Sequence, residues 1–268
     1  MSSDVSPAPS TFPTDSLLAR LELSAPARPD LAWLAAAYRV WCRTVPFSNL
    51  GKLKALRSGQ PLPSLDAGAI ARQFLEDGSC GTCFSHAVAF SALLGAVGYQ
   101  ARNYAGYTTG DDGVRGEHAT TIVHIDDQLW LVDTALPHGA PLPLYRDRCS
   151  QIEGVMTPMT ATPHGDLWQL DFVIAHNNSR RQATLVEQLR DTAHAEEGFL
   201  RTLDDAKNPF NLVPIVRLEV EDGSLTLAGR KLFLVHATDG VVVEPAGLAT
   251  LRRFGVLPEA YEALWAEA

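Results

Sequence analysis

The sequence predicts an α+β protein. Apolar residues recur at helical spacing up to about Gly98, alternate with period two from Gln100 onward, and return to a mixed pattern near the end. Helices first, strands next and a mixed segment last argue for several packed layers rather than one alternating βαβ sheet.

In chain order, residues 1–13 are rich in Ser, Pro, Ala and Thr and read as a disordered tail. Leu17, Leu18 and Leu21 make one short apolar face. Asp30 is placed to cap a helix carrying Leu31, Trp33, Leu34, Ala37 and Tyr38. Pro46 ends that pattern, and 45–50 reads as a turn. Another helix spans 66–75 and stops near Gly78. Residues 84–97 are apolar on nearly every side, which marks a buried central helix closed by Gly98.

Beyond Gly98, segments 100–107, 118–125 and 128–133 read as strands, the last two joined at Asp126-Asp127 as a tight hairpin. Residues 109–116 read as loop, 136–165 as irregular, and 167–174 as a further strand. Segments 213–219, 224–227 and 231–235 suggest an antiparallel meander, and 246–254 and 259–266 two closing helices.

Composition narrows the function. The 268 residues are 46% hydrophobic and 20% charged, ordinary for a globular chain. A net charge of −9 provides no basic face for nucleic acid or anionic membrane. No apolar run reaches the ~20 residues that span a bilayer. The N-terminus lacks the basic and apolar regions of a secretory signal, so a soluble cytoplasmic protein is expected. Four cysteines (Cys42, Cys80, Cys83, Cys149) fit a reducing compartment, where an isolated cysteine is packed or catalytic.

Of these, Cys83 sits where the small-residue loop 78–82 runs into the buried helix. A thiol there meets the positive end of the helix dipole and free N–H groups, which favour thiolate and could hold an oxyanion. Position alone also fits a buried cysteine at a helix start. His118 and Asp133 extend the pattern, because both lie on one expected hairpin as cross-strand or diagonal neighbours. A carboxylate closing the apolar run Leu129-Trp-Leu-Val132 is costly unless it has a partner. A histidine oriented by that carboxylate could take the thiol proton.

Read in order, Val45-Pro-Phe-Ser-Asn-Leu50, Gly78-Ser-Cys-Gly-Thr-Cys-Phe84, His118 on an apolar strand and Trp130-Leu-Val-Asp133 resemble the arylamine N-acetyltransferase family. Its pattern is a PFENL element, an RGGxC nucleophile loop, a strand histidine and a [WY]LVD element. Segment 171–180, Gly223-Ser-Leu-Thr-Leu227 and 251–256 are also similar to the family's later elements.

The resemblance implies a helical bundle over 14–98 carrying the cysteine, a central antiparallel β-barrel-like domain over 99–190 carrying the histidine and aspartate, and an α/β lid over 191–268. It implies a Cys83-His118-Asp133 triad moving an acetyl or other acyl group from acetyl-CoA or another acyl-CoA, through a thioester, to an amine. No metal is expected, and the partners are the two small-molecule substrates. Phe47, Thr82, Phe84, Thr134, Ala135 and Leu136 are the expected pocket residues. Ser48 and Ser79 replace the Glu and Arg of the family pattern, and Cys80 replaces its first glycine, which reads as a repacked loop. Ser85 and Ala87 replace an acid and an amide, and 134–137 lacks the family's glycines.

Other readings stay open on sequence. A transglutaminase-like amide hydrolase, exchange enzyme or amide synthase would use the same three residues. A non-catalytic ligand-binding homologue would keep the scaffold. Cys80 and Cys83 also form a CxxC, but a dithiol motif normally follows a strand, and here a helix precedes it. Zinc is disfavoured because Cys42 and Cys149 stand alone and His86 reads as packed.

Overall fold

The computed structural model describes residues 12–110, 113, 115–153, 157–174, 176–204, 208–236 and 240–266. Apart from residues 12 and 13, the expected N-terminal tail lies outside them. The α+β class is as the sequence predicts.

Five helices occupy the first part of the chain: α1 (Thr14–Arg20), α2 (Leu31–Thr44), α3 (Leu50–Ser58), α4 (Ala67–Asp77) and α5 (Cys83–Ala96), with a two-residue strand β1 (Phe47–Ser48) between α2 and α3. Asp30 caps α2 by accepting from Trp33 N at 2.8 Å, and Asp66 caps α4 by accepting from Ala69 N at 2.8 Å. Helix α5 is the centre of the first core, its Phe84 and Phe90 packed with Leu34, Tyr38, Trp41 and Phe74.

Next come β2 (Gln100–Gly110), β3 (Arg115–Ile125), β4 (Gln128–Leu131), β5 (Leu142–Leu144), β6 (Ser150–Ile152), β7 (Met159–His164), β8 (Leu167–Ile174) and β9 (Ser179–Gln188). They form one antiparallel sheet in the order β5-β4-β3-β2-β9-β8-β7-β6. Its two edge strands approach each other, so the sheet is nearly closed into a barrel around Leu131, Leu142, Met159, Trp168, Leu170 and Leu185. The expectation of irregular chain over 136–165 is therefore corrected: β5, β6 and β7 lie there. They are three to six residues long and hold Pro143 and Pro163. Both prolines sit where a missing N–H costs no ladder bond: β5 is an edge strand, and β6 ends its pairing at Ala161.

The chain continues through α6 (Thr192–Arg201), capped by Asp191, to β10 (Ile215–Val220), β11 (Gly223–Ala228), β12 (Lys231–His236) and β13 (Gly240–Pro245). These make a meander whose sheet order is β1-β10-β11-β12-β13. Leu50 and Leu53 of α3 pack into its core with Val216, Leu227 and Phe254. The two expected closing α-helices are instead 3-10 turns at Leu248–Phe254 and Pro258–Tyr261, followed by the single turn α7 (Ala263–Ala266). Gly255, in the left-handed region at φ 72°, ends the first turn, and Pro258 opens the second.

Candidate functional site

The loop ahead of α5 is held from three directions. Phe47 makes an isolated parallel bridge to Gly81, and Ser48 N donates to Gly81 O at 2.8 Å. Gly81 itself sits at φ 115°, where a Cβ would come 2.4 Å from Ser85 Oγ. Ser79, in the position of the family pattern's arginine, donates to Asp77 Oδ1 at 2.7 Å and meets the Tyr261 hydroxyl at 2.7 Å and Gln73 Nε2 at 2.8 Å. Ser79, Tyr261 and Gln73 thus form a polar network around the Asp77 carboxylate. Leu257 N also donates to Asp77 O at 2.8 Å.

Cys83 is the first residue of α5 after the extended Thr82, which puts it in the turn whose N–H groups have no intrahelical partner. The segment before Cys80 is helix α4, so the dithiol reading lacks its strand. Burial pushes the Cys80 thiol far up, whereas Cys83 Sγ donates to Glu117 O at 3.9 Å, the residue next to His118. Cys83 keeps 8% of its surface exposed, His118 4% and Asp133 none.

His118 stands in β3 opposite Gly106, beside a bulge that bends β2. In the hairpin, Ile122 faces Leu131, which puts Asp133 two residues beyond the end of β4 and diagonal to His118. Asp133 Oδ2 lies 2.7 Å from His118 Nε2, and Oδ1 accepts from Ala135 N at 3.0 Å and Leu136 N at 2.8 Å. His118 Nδ1 is the nitrogen left for the sulfur. Burial opposes charge on the ring, but the Asp133 carboxylate and its hydrogen bond, aided by Cys83, hold His118 up at about 10. Burial likewise opposes charge on Asp133, and His118 outweighs it, so its carboxyl stays below the usual range. Each group of the pair thus favours the charged form of the other.

Of the expected pocket residues, Phe47, Thr134, Ala135 and Leu136 line a cleft of about 540 Å³ between the barrel and the C-terminal meander, together with Arg217, Glu219, Ser224 and Thr226. Arg217 Nη1 reaches Ala135 O at 3.5 Å, and its guanidinium stands 5.6 Å from the centre of the Phe47 ring. Thr82 lines a different, smaller cavity. Phe84 lines neither; its ring is fully buried, and a Cβ on Gly198 would come within 2.6 Å of it. Its large apolar ring fills the core between α5 and α6. His86 is packed as well. It accepts from Trp41 Nε1 at 3.2 Å, faces Pro46 O at 3.1 Å, and is kept neutral by burial at about 4.

Two buried groups had no sequence signal. His138 is fully buried, with Nδ1 3.0 Å from the Tyr38 hydroxyl, and that hydroxyl donates to Asp133 O at 2.9 Å. Tyr38 registers in sequence only as part of an apolar helix face, and His138 as part of a loop.

Among the described residues, no three metal-ligating side chains come together, and no helix is long and apolar enough to cross a membrane. No curated protein matches the chain. The arylamine N-acetyltransferase of Salmonella typhimurium superposes with a TM-score of 0.80 at 17% identity, over 97% of this chain and 100% of that one. An arylamine N-acetyltransferase of Bacillus cereus, described as having a Cys-His-Glu catalytic triad, gives a TM-score of 0.76 at 16% identity over 91% and 98%. That of Mycobacterium marinum in complex with CoA gives 0.76 at 20% identity over 94% and 97%. These likenesses establish the fold. Sequence supplies the rest, since an N-acetyltransferase family model matches residues 30–252. With the fold and the family model in agreement over most of its length, the chain belongs to the arylamine N-acetyltransferase family, a family of acyltransferases.

Proposed function

We propose that the protein transfers an acetyl or other acyl group from acyl-CoA to an amine, by a ping-pong route through a thioester on Cys83. The observation that carries this reading is the buried His118–Asp133 pair at 2.7 Å, with Cys83 Sγ 3.9 Å from the carbonyl of Glu117, the residue before His118. An imidazolium held this firmly favours a thiolate beside it. Family membership supports acyl transfer, and the CoA complex of the Mycobacterium marinum relative supports the donor class.

In this mechanism the Cys83 thiolate attacks the thioester carbonyl, and the N–H groups opening α5 stabilise the oxyanion. The carbon–sulfur bond to CoA breaks, and His118 protonates the departing thiolate. The amine then attacks the acyl-cysteine. His118 takes its proton, and the Cys83 thiolate is expelled. Asp133 holds the ring with Nδ1 toward the sulfur throughout. The cleft beside Phe47 and residues 134–136 takes the substrates.

Intact-mass measurement after incubation with acetyl-CoA tests this. A mass increase of one acetyl group, absent in Cys83→Ala and discharged by an added arylamine, is expected. No adduct with acetyl-, propionyl- or longer acyl-CoA would reject the acyl-CoA reading and leave an amide-exchange enzyme or a binding protein.

A further inference from the structure

The second cavity, of about 330 Å³, lies beneath the nucleophile loop, and its wall includes Ser48, Lys52, Gly81, Thr82, Ser85 and Phe199. Three features of that wall attract negative charge. The first is Lys52, the one charged side chain that the described residues place there, and it is 4% exposed. Its ammonium donates to Thr202 Oγ1 at 2.7 Å and stands 5.6 Å from the centre of the Phe199 ring. Among the described residues no carboxylate forms an ion pair with it. The second is the Ser48 hydroxyl, which is 1% exposed and has no hydrogen-bond partner. The third is the start of α5, the positive end of a 14-residue helix. Its N-cap residue, Thr82, makes no side-chain bond to the N–H groups of the first turn.

A buried ammonium without an opposite charge is expensive, and so is a buried hydroxyl without a partner. One anion in the cavity relieves both. Ser48 stands where the family pattern has a glutamate, so the wall offers a hydroxyl in place of a carboxylate. The charged and hydroxyl donors here, on Lys52, Ser48, Thr82 and Ser85, are single points rather than the planar fork with which arginine grips a carboxylate or phosphate. Point donors around one positive charge suit a spherical ion of single charge.

We propose that this cavity binds a halide-sized monovalent anion, chloride in ordinary buffers, between Lys52, Ser48 and the first turn of α5. The ion is structural. It gives Lys52 a counter-charge in the interior and joins β1, α3 and α5 beneath the loop that Ser48 N already holds through Gly81 O at 2.8 Å. The site is independent of the reaction assigned to Cys83.

The experiment is thermal unfolding of the full chain in sodium chloride, with sodium gluconate keeping the ionic strength constant. Gluconate carries the same charge on a far larger body. No acyl donor is present, so the outcome is separate from whether acyl-CoA is the substrate. Raising chloride from about 1 to 100 mM should lift the wild-type melting temperature by about 3 °C, with the rise levelling off as the site fills. In Lys52→Met the melting temperature should not respond to chloride. Ser48→Ala, which removes one donor to the ion, should need about tenfold more chloride for the same rise. Lys52→Gln, which can keep the Thr202 contact, serves as the second neutral variant should Met disturb folding. No response in wild type, or an equal response in a folded neutral variant of Lys52, overturns the proposal, as does a Ser48→Ala chain that titrates like wild type.

Discussion

The Tyr38 hydroxyl donates to the main-chain carbonyl of Asp133 at 2.9 Å, tying the helical layer to the acidic end of the β3–β4 hairpin. The same oxygen accepts from His138 N at 3.1 Å. Tyr38→Phe would leave that carbonyl and that N–H buried without partners. The expected cost is about 1–3 kcal/mol of stability. Urea unfolding checks it, and a variant as stable as wild type would show that the two groups find other partners.

Asp133→Asn keeps the volume of the side chain and removes its charge. The Ala135 and Leu136 N–H groups can still bind Oδ1, so the turn should survive. Without the carboxylate, His118 loses what keeps it charged and correctly oriented. Acylation of Cys83 should fall about 10³–10⁴-fold while circular dichroism stays unchanged. A rate within about threefold of wild type would remove Asp133 from the mechanism.

Burial raises Glu219 in the cleft to about 7, against the pull of Arg43 and Arg39. A raised carboxyl is neutral below that value and charged above it. Stability is therefore lost as pH rises through about 7, and the cleft gains a negative charge over the same interval. The KM for an anionic acyl-CoA should rise between pH 6 and 8, and Glu219→Gln should flatten that dependence. An identical pH profile in the variant would exclude Glu219 as its source.

Gly81→Ala places a Cβ 2.4 Å from Ser85 Oγ at a φ of 115°, a conformation that L residues rarely adopt. The strain should cost about 1–3 kcal/mol. Because Gly81 O accepts from Ser48 N, the loop should shift as well. Slower Cys83 alkylation together with a lower melting temperature is expected; loss of neither would mean the loop relaxes freely.

What could be seen in the sequence followed its strongest patterns. Asp30 and Asp66 announce their helices because caps are local, and the all-round apolar run after Cys83 gives α5. Cys83, His118 and Asp133 stand out because each breaks its surroundings: a thiol at a helix start, and an imidazole and a carboxylate on apolar strands. Helix α3 was missed because Lys52 and Lys54 interrupt its apolar face, and β13 because its pattern, exposed Val241, Val242 and Val243, resembles no half-buried strand. His138 and Lys52 gave no signal, since their burial depends on residues far away in the chain, Tyr38 in one case and Thr202 in the other.

The grip of Tyr261 on Ser79 and Asp77, and of β10 on β1, carries a consequence for biosynthesis. A ribosome will have made Cys83, His118 and Asp133 long before it makes the residues that brace the sulfur's loop. Until the last turns emerge and close on that loop, the nascent chain holds the right side chains without their working arrangement, and it should be chemically quiet.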